Sequence, residues 1–281
     1  MVVFLNGKFV PEAEAVVSVS DRGFLLGDGL FETVRVVRGR PFRLAQHLER
    51  LVRGADFLKI KLPFSPGDIH SFAVRLIVEN NLLEAVLRLT LTRGKGRRGY
   101  SIAGAGSPAL VMTLHSLPAS DADEPLQWSL MTSSFRVLSA DPLSSFKTTS
   151  KILNIMARAE AEAAGADEAL LLNTNGEVAE VAGGNIFWVH QDKICTVPVG
   201  RGVLPGITRA VVLEICQSLG LATNKCVIKP EQLRQSEGIF VTQSALGIVP
   251  VAALDGRPVA PSPLVDQIAT AYEVVLADES E

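Results

Sequence analysis

Two hydrophobic rhythms alternate along the chain. Val2 to Leu5 and Lys8 to Val10 read as short strands on either side of Asn6-Gly7, the strongest short hairpin signal. Leu30 to Val37 reads as a strand that ends at the turn Arg38-Gly39-Arg40. From Arg43 to Leu58 the period lengthens, and Leu44, His47, Leu48, Leu51 and Ala55 fall on one side of a helix. A second helix is expected over 66–80. From Ala85 to Arg93 the period returns to two, with Val86, Arg88, Thr90 and Thr92 alternating against Leu87, Leu89 and Leu91. Ala109 to His115 is read as its antiparallel neighbour.

Pro118 to Pro125 is small, acidic and bounded by prolines, which makes it a linker, so the expected division is 1–117, a linker at 118–125, and 126–281. Beyond it Trp128 to Ser133 reads as a strand. Ser150 to Gly165 reads as a helix with Ser150 as N-cap and Gly165 as its stop. Ala169 to Leu172 and Val178 to Ala179 flank Asn173-Thr174-Asn175-Gly176 as a hairpin, and Ile186 to Val189 and Ile194 to Val197 continue the strands. Leu204-Pro205-Gly206 introduces a helix over Thr208 to Leu219, and Gly238 to Thr242 is a further strand. The sum is an α+β protein with helices interrupting mostly antiparallel sheets.

Composition narrows the partners. The 281 residues carry a formal net charge of −3, without the basic excess of a nucleic-acid binder, so small molecules are expected. Cys195, Cys216 and Cys226 have no metal-like spacing, and their odd number without a secretory leader suggests reduced thiols and a cytoplasmic location. No metal is expected. The longest late apolar run, Ala245 to Leu254, is broken by Gly247 and Pro250 and is too short to span a membrane.

The candidate chemistry lies in Ser145-Phe146-Lys147-Thr148-Thr149-Ser150 and, downstream, Gly176-Glu177-Val178-Ala179-Glu180. A primary amine holds the pyridoxal phosphate aldehyde as a Schiff base, and a carboxylate facing the pyridine nitrogen keeps that nitrogen protonated. Lys151 is a rival amine, although it falls inside the expected helix, and Glu177 and Glu180 also fit the polar edge of a hairpin. Glu180 is expected just past its strand, before Ala182-Gly183-Gly184-Asn185, whose small residues let a flat ring approach the backbone. Gly202 to Thr208 running into a helix offers backbone donors for a phosphate, or simply a helix cap. Thr242-Gln243-Ser244 adds hydroxyls. Arg50 offers a bidentate cation, yet by spacing alone it also fits a solvated helix face.

These residues carry a resemblance. The chain resembles the class IV aminotransferases, the fold-type IV pyridoxal phosphate enzymes, over nearly its full length. The matching phrases are Asp21-Arg22-Gly23 through Gly27-Asp28-Gly29-Leu30-Phe31-Glu32-Thr33, His47-Leu48-Glu49-Arg50-Leu51, Lys147, Gly165-Ala166-Asp167-Glu168-Ala169, Val178-Ala179-Glu180 through Asn185-Ile186-Phe187, and Leu204-Pro205-Gly206-Ile207-Thr208-Arg209. The resemblance implies a smaller N-terminal α/β domain and a larger cofactor-binding domain with a mostly antiparallel sheet or barrel. It implies Lys147 as the Schiff-base lysine, Glu180 as the partner of the pyridine nitrogen, and Arg50, Ile207, Thr208 and Ser244 as the phosphate grip. A homodimer is implied as well.

Within that family, Thr92 to Ser101 and Thr242 to Val251 resemble loops of the aminodeoxychorismate lyases, so release of 4-aminobenzoate and pyruvate is the leading expectation. Ser150 and Gln243 depart from that pattern, each standing where asparagine is common. The alternative is a transaminase of D-amino acids, branched-chain amino acids or primary amines, with a 2-oxo acid acceptor. Arg93 or Arg98 is expected to hold a substrate carboxylate, Tyr100 to close the pocket, and Phe31 to wall a flat substrate. In either reaction Lys147 also removes the carbon-bound proton. A non-catalytic protein of the same fold, with Lys147 only an exposed charge, is the reading from a different class.

Overall fold

The structure is a computed structural model that describes residues 1–117 and 126–279. Its described residues divide into two units, one of 1–117 with Phe146–Lys151 and 276–279, the other of 126–145 and 152–275. The expected linker at 118–125 lies outside the described residues.

The first unit is built on a six-stranded sheet. Its strands are β1 (Val2–Leu5), β2 (Lys8–Pro11), β3 (Gly29–Val37), β4 (Arg40–Pro41), β5 (Ala85–Lys95) and β6 (Ser107–Ser116), in the order β2-β1-β6-β5-β3-β4 and wholly antiparallel. Asn6 and Gly7 take positive φ of 49° and 90°, the conformation a two-residue hairpin demands. Three helices join the sheet: α1 (Arg22–Leu26), α2 (Leu44–Leu58) and α3 (Pro66–Asn80), the last begun by a Ser65–Asp68 capping box. One core holds Leu30, Val34 and Val36 of β3, Leu44, Leu48 and Leu51 of α2, and Leu76 and Ile77 of α3. Those are the rows that the alternation and the helical spacing mark out.

The second unit is built on a nine-stranded mixed sheet: β7 (Trp128–Val137), β8 (Glu168–Asn173), β9 (Val178–Val181), β10 (Asn185–His190), β11 (Lys193–Thr196), β12 (Thr223–Lys225), β13 (Ile239–Gln243), β14 (Gly247–Leu254) and β15 (Arg257–Pro258). β7 runs parallel to both β8 and β14, and β12 runs parallel to β11. Its helices are α4 (Ile152–Ala163), α5 (Ile207–Ser218), α6 (Pro230–Leu233) and α7 (Pro263–Asp278). Among the described residues no helix is long and apolar enough to cross a membrane.

Three local expectations are corrected. α4 starts at Ile152, not at Ser150, because the Ser150 hydroxyl donates to the Gly27 carbonyl instead of capping. Lys151 therefore lies before the helix. Glu180 lies within β9, paired with Leu171 of β8, rather than past the strand end.

Candidate active site

Lys147 is held as part of the sheet of the first unit. The Phe31 amide donates to the Lys147 carbonyl at 2.8 Å, and the Thr149 amide donates to the Gly29 carbonyl at 3.0 Å, so residues 147–149 run as a short extra strand beside the start of β3. The Thr149 hydroxyl donates to the Gly27 carbonyl at 2.8 Å and fixes the far side of the segment. The Phe146 ring packs against Phe57 of α2, centroids 4.5 Å apart. A lysine in a loop is thereby given the placement of a strand residue.

Its amine lies over an aromatic face. Lys147 Nζ is 4.7 Å from the Phe31 ring centroid, and the Arg88 guanidinium carbon is 4.0 Å from the same centroid. The register explains the second contact: Phe31 pairs with Thr90 and Thr33 with Arg88, so Phe31 and Arg88 are diagonal neighbours on one sheet face. Burial lowers the Arg88 pKa. Among the described residues no acidic group forms an ion pair with Arg88, which leaves a half-buried cation on the Phe31 ring without a matching anion.

On the opposite face of β3, Glu32 is 1% exposed. Arg50 Nε donates to Glu32 Oε1 at 2.8 Å and Arg50 Nη2 to Oε2 at 2.6 Å, while His47 Nδ1 donates to Oε2 at 2.7 Å. His47 and Arg50 stand three positions apart on α2 and so share a helix face. Burial alone would raise the Glu32 pKa, but the hydrogen bonds from Arg50 and His47, with the charge of Arg50, hold it at about 2. Burial lowers the His47 pKa, against the pull of Glu32, so the ring is neutral and donates through Nδ1. Arg50, which spacing alone also fitted to a solvated helix face, is buried.

In the second unit, Glu180 Oε2 accepts from the Leu204 amide at 3.0 Å and from Asn185 Nδ2 at 3.3 Å, and Asn185 Nδ2 also donates to the Leu204 carbonyl at 2.9 Å. This triangle ties the carboxylate to the approach of α5. α5 begins at Ile207 behind Gly206, with no side-chain cap, so the amides of its first turn face outward as donors, Ile207 and the buried Thr208 among them. α5 packs on β13, which carries Thr242, with Ser244 just beyond its end. Two buried groups here have no hydrogen-bond partner, Thr242 Oγ1 and Arg209 Nε. Arg209 is nearly buried, donates Nη2 to the Val197 carbonyl at 3.1 Å, and has no acidic partner among the described residues. Orphaned donors and an uncapped helix start are what a phosphate-bearing group satisfies, so these residues fit pyridoxal phosphate.

The glycine-arginine loop requires a correction. Arg93 is not available for a substrate carboxylate: its fork is bidentate on Asp28, at 2.8 and 3.0 Å, and its remaining donors close the end of α2 on the Leu58 and Lys59 carbonyls. Arg22 also grips Asp28, and it holds the loop through the Gly99 and Tyr100 carbonyls. Arg98 and Tyr100 sit on that loop, with Tyr100 89% exposed.

Glu32, Arg88 and Asn185 escape the sequence reading. Glu32 had a visible signal, since it interrupts the apolar row of Leu30, Val34 and Val36. Arg88 stood in the polar row of its strand, but only the β3–β5 register places it beside Phe31.

Comparison with known proteins gives a consistent picture. Residues 29–254 match the family model for amino-transferase class IV. The chain is 35% identical over 258 residues to a candidate branched-chain-amino-acid aminotransferase of Methanocaldococcus jannaschii, covering 92% of this chain and 89% of that protein. It is 29% identical to a D-alanine aminotransferase of Bacillus licheniformis, over 100% of this chain and 99% of that one. Among solved structures, a T.th. branched-chain amino acid aminotransferase with pyridoxamine 5'-phosphate superposes with a TM-score of 0.93 at 28% identity, covering 99% of this chain and 94% of that one. A candidate 4-amino-4-deoxychorismate lyase of Legionella pneumophila superposes with a TM-score of 0.85 at 28% identity, covering 96% of this chain and 97% of that one.

Proposed function

Because the chain belongs to the class IV aminotransferase family of pyridoxal-phosphate-dependent enzymes, we propose that it moves an amino group from an amino acid to a 2-oxo acid. The observation that supports a carboxylate-bearing substrate is Arg88, a half-buried cation with no acidic partner among the described residues, on the ring that Lys147 Nζ also faces, and the aminotransferase relatives make that substrate an amino acid. A substrate carboxylate supplies the missing anion. Amino acids and 2-oxo acids both carry one, whereas simple primary amines do not, so Arg88 narrows the expected donors. The curated relatives named above are aminotransferases, and they favour transamination over the lyase reaction that leads from the loop phrases alone.

When bound, pyridoxal phosphate supplies an electrophilic carbon for the amino group and a ring that stores electrons. The chain does the rest. Lys147 Nζ would take the proton from the substrate α-carbon and deliver it to the carbon of the former cofactor aldehyde, so that the nitrogen stays behind and an oxo acid leaves; Glu180 would hold a proton at the ring nitrogen, and Phe31 would keep water from the amine. Arg50, Ile207, Thr208 and Ser244 would hold the phosphate, as the family phrases imply. Exposed Val16, Val19, Phe24 and Leu25 leave apolar surface on the first unit, which fits a second copy, and light scattering of the holoprotein checks the homodimer.

The test is a donor panel of L-leucine, L-valine and D-alanine with 2-oxoglutarate, read as oxo-acid formation and as conversion of the bound cofactor to its amine form. Lys147→Ala is expected to abolish turnover, and Arg88→Gln to raise KM for carboxylate substrates about tenfold or more, the loss of one charge-assisted contact. Glycine-arginine loop phrases and the Legionella neighbour favour a second reading, the lyase. Release of 4-aminobenzoate from aminodeoxychorismate, with no oxo acid from any donor, would replace the first reading by the second.

A further inference from the structure

Resting on the reading of Arg50 as a phosphate ligand, we infer that Glu32, with His47 behind it, is the positioning residue that aims Arg50. Glu32 stands in the row Leu30-Glu32-Val34-Val36, whose other side chains form the core beneath α2. An apolar side chain would pack β3 on α2 there at a lower desolvation cost than a carboxylate. What the carboxylate adds is direction. Its two oxygens take Nε and Nη2 of Arg50 at 2.8 and 2.6 Å, a planar fork that fixes the guanidinium in rotation as well as position.

His47 completes the device. Its Nδ1, 2.7 Å from Oε2, occupies a further lone pair of the carboxylate and stops it from rotating away. Glu32 also gives Arg50 a counter-charge of its own, so the guanidinium is paired in the interior before any phosphate arrives. The same strand carries Phe31, whose amide holds the Lys147 carbonyl at 2.8 Å. Phosphate grip and amine are therefore set from adjacent residues of β3.

The experiment compares binding of pyridoxal phosphate with binding of pyridoxal, which lacks the phosphate, by equilibrium dialysis of the apoprotein. Wild type is expected to prefer the phosphorylated form. Glu32→Gln is expected to lose about tenfold or more of that preference while binding pyridoxal as wild type does, since the variant loosens only the phosphate ligand. Glu32→Asp keeps the charge with a shorter reach and is expected to fall between the two. A merely structural role would weaken both forms together, and that result overturns the inference. So does an unchanged preference in Glu32→Gln, or in Glu32→Asp should the first variant not fold. Arg50→Ala separates the premise: if it keeps the wild-type preference, the phosphate reading of Arg50 falls, whereas loss in Arg50→Ala with retention in Glu32→Gln removes only the role of Glu32.

Discussion

A carboxylate inside an apolar row stays ionised only while its donors stay in place, and this ties stability to pH at Glu32. Its pKa is lowered from 4.5 to about 2, so its contribution is fully present above pH 4.5 and is lost as pH falls through about 2. The shift corresponds to stability on the order of 3 kcal/mol. The advantage of wild type over Glu32→Gln, measured by urea unfolding, is expected to shrink below pH 4.5 and to vanish near the lower value. Asp28 supplies a second residue-scale prediction. Burial works against its charge, but hydrogen bonds from Arg93 and Arg22 outweigh it and lower its pKa. Asp28→Asn is expected to cost about 2–3 kcal/mol in thermal unfolding, because it strands two buried guanidinium groups, and to speed proteolysis within the loop carrying Arg98 and Tyr100. Periodicity alone does not choose Lys147 over Lys151 or Glu180 over Glu177, since each rival carries the same group a few positions away; only the family phrases make the choice. Arg93 was misjudged for an equally physical reason: a glycine-flanked arginine looks free until Asp28, far from it along the chain, takes its fork.

Elements whose residues answer to near neighbours were readable, and those answering to distant ones were not. The Asn6-Gly7 hairpin, α2, α3 and the β5–β6 pair follow from local periodicity. α4 does not, because the competing partner for Ser150 is a carbonyl 123 positions away. β14, readable only as an apolar run, becomes a strand through its pairing with both β13 and β7. The approach to α5 yields a prediction of its own. Gly206 has φ of −67°, open to any residue, yet a Cβ there would collide with Asn185 Oδ1. Gly206→Ala must therefore push Asn185 off Glu180 and Leu204. Cofactor affinity, read by fluorescence titration, is expected to fall about tenfold while the melting transition loses only about 1–2 kcal/mol.

For the molecule as a whole, the cofactor is a stabiliser by mass action. Pyridoxal phosphate at about a hundred times its Kd is expected to add about 2.7 kcal/mol, seen as a rise in Tm that Lys147→Ala diminishes. The α+β class was legible from the change in rhythm along the chain. Assignment of 146–151 to the first unit was not, since it depends on backbone bonds to β3. That stitched segment also bears on how such a protein can diversify. The amine, its aromatic wall and the acid behind the arginine are all referenced to Gly29–Glu32, and side chains alternate faces along a strand. Sliding β3 by one residue would swap Phe31 and Glu32 between faces and shift the Lys147 pairing with them. New substrate preferences therefore have no route through insertions in this strand. Side-chain replacement leaves that register intact, which makes the identities of residues on β3, and not its length, the thing to vary in a directed search.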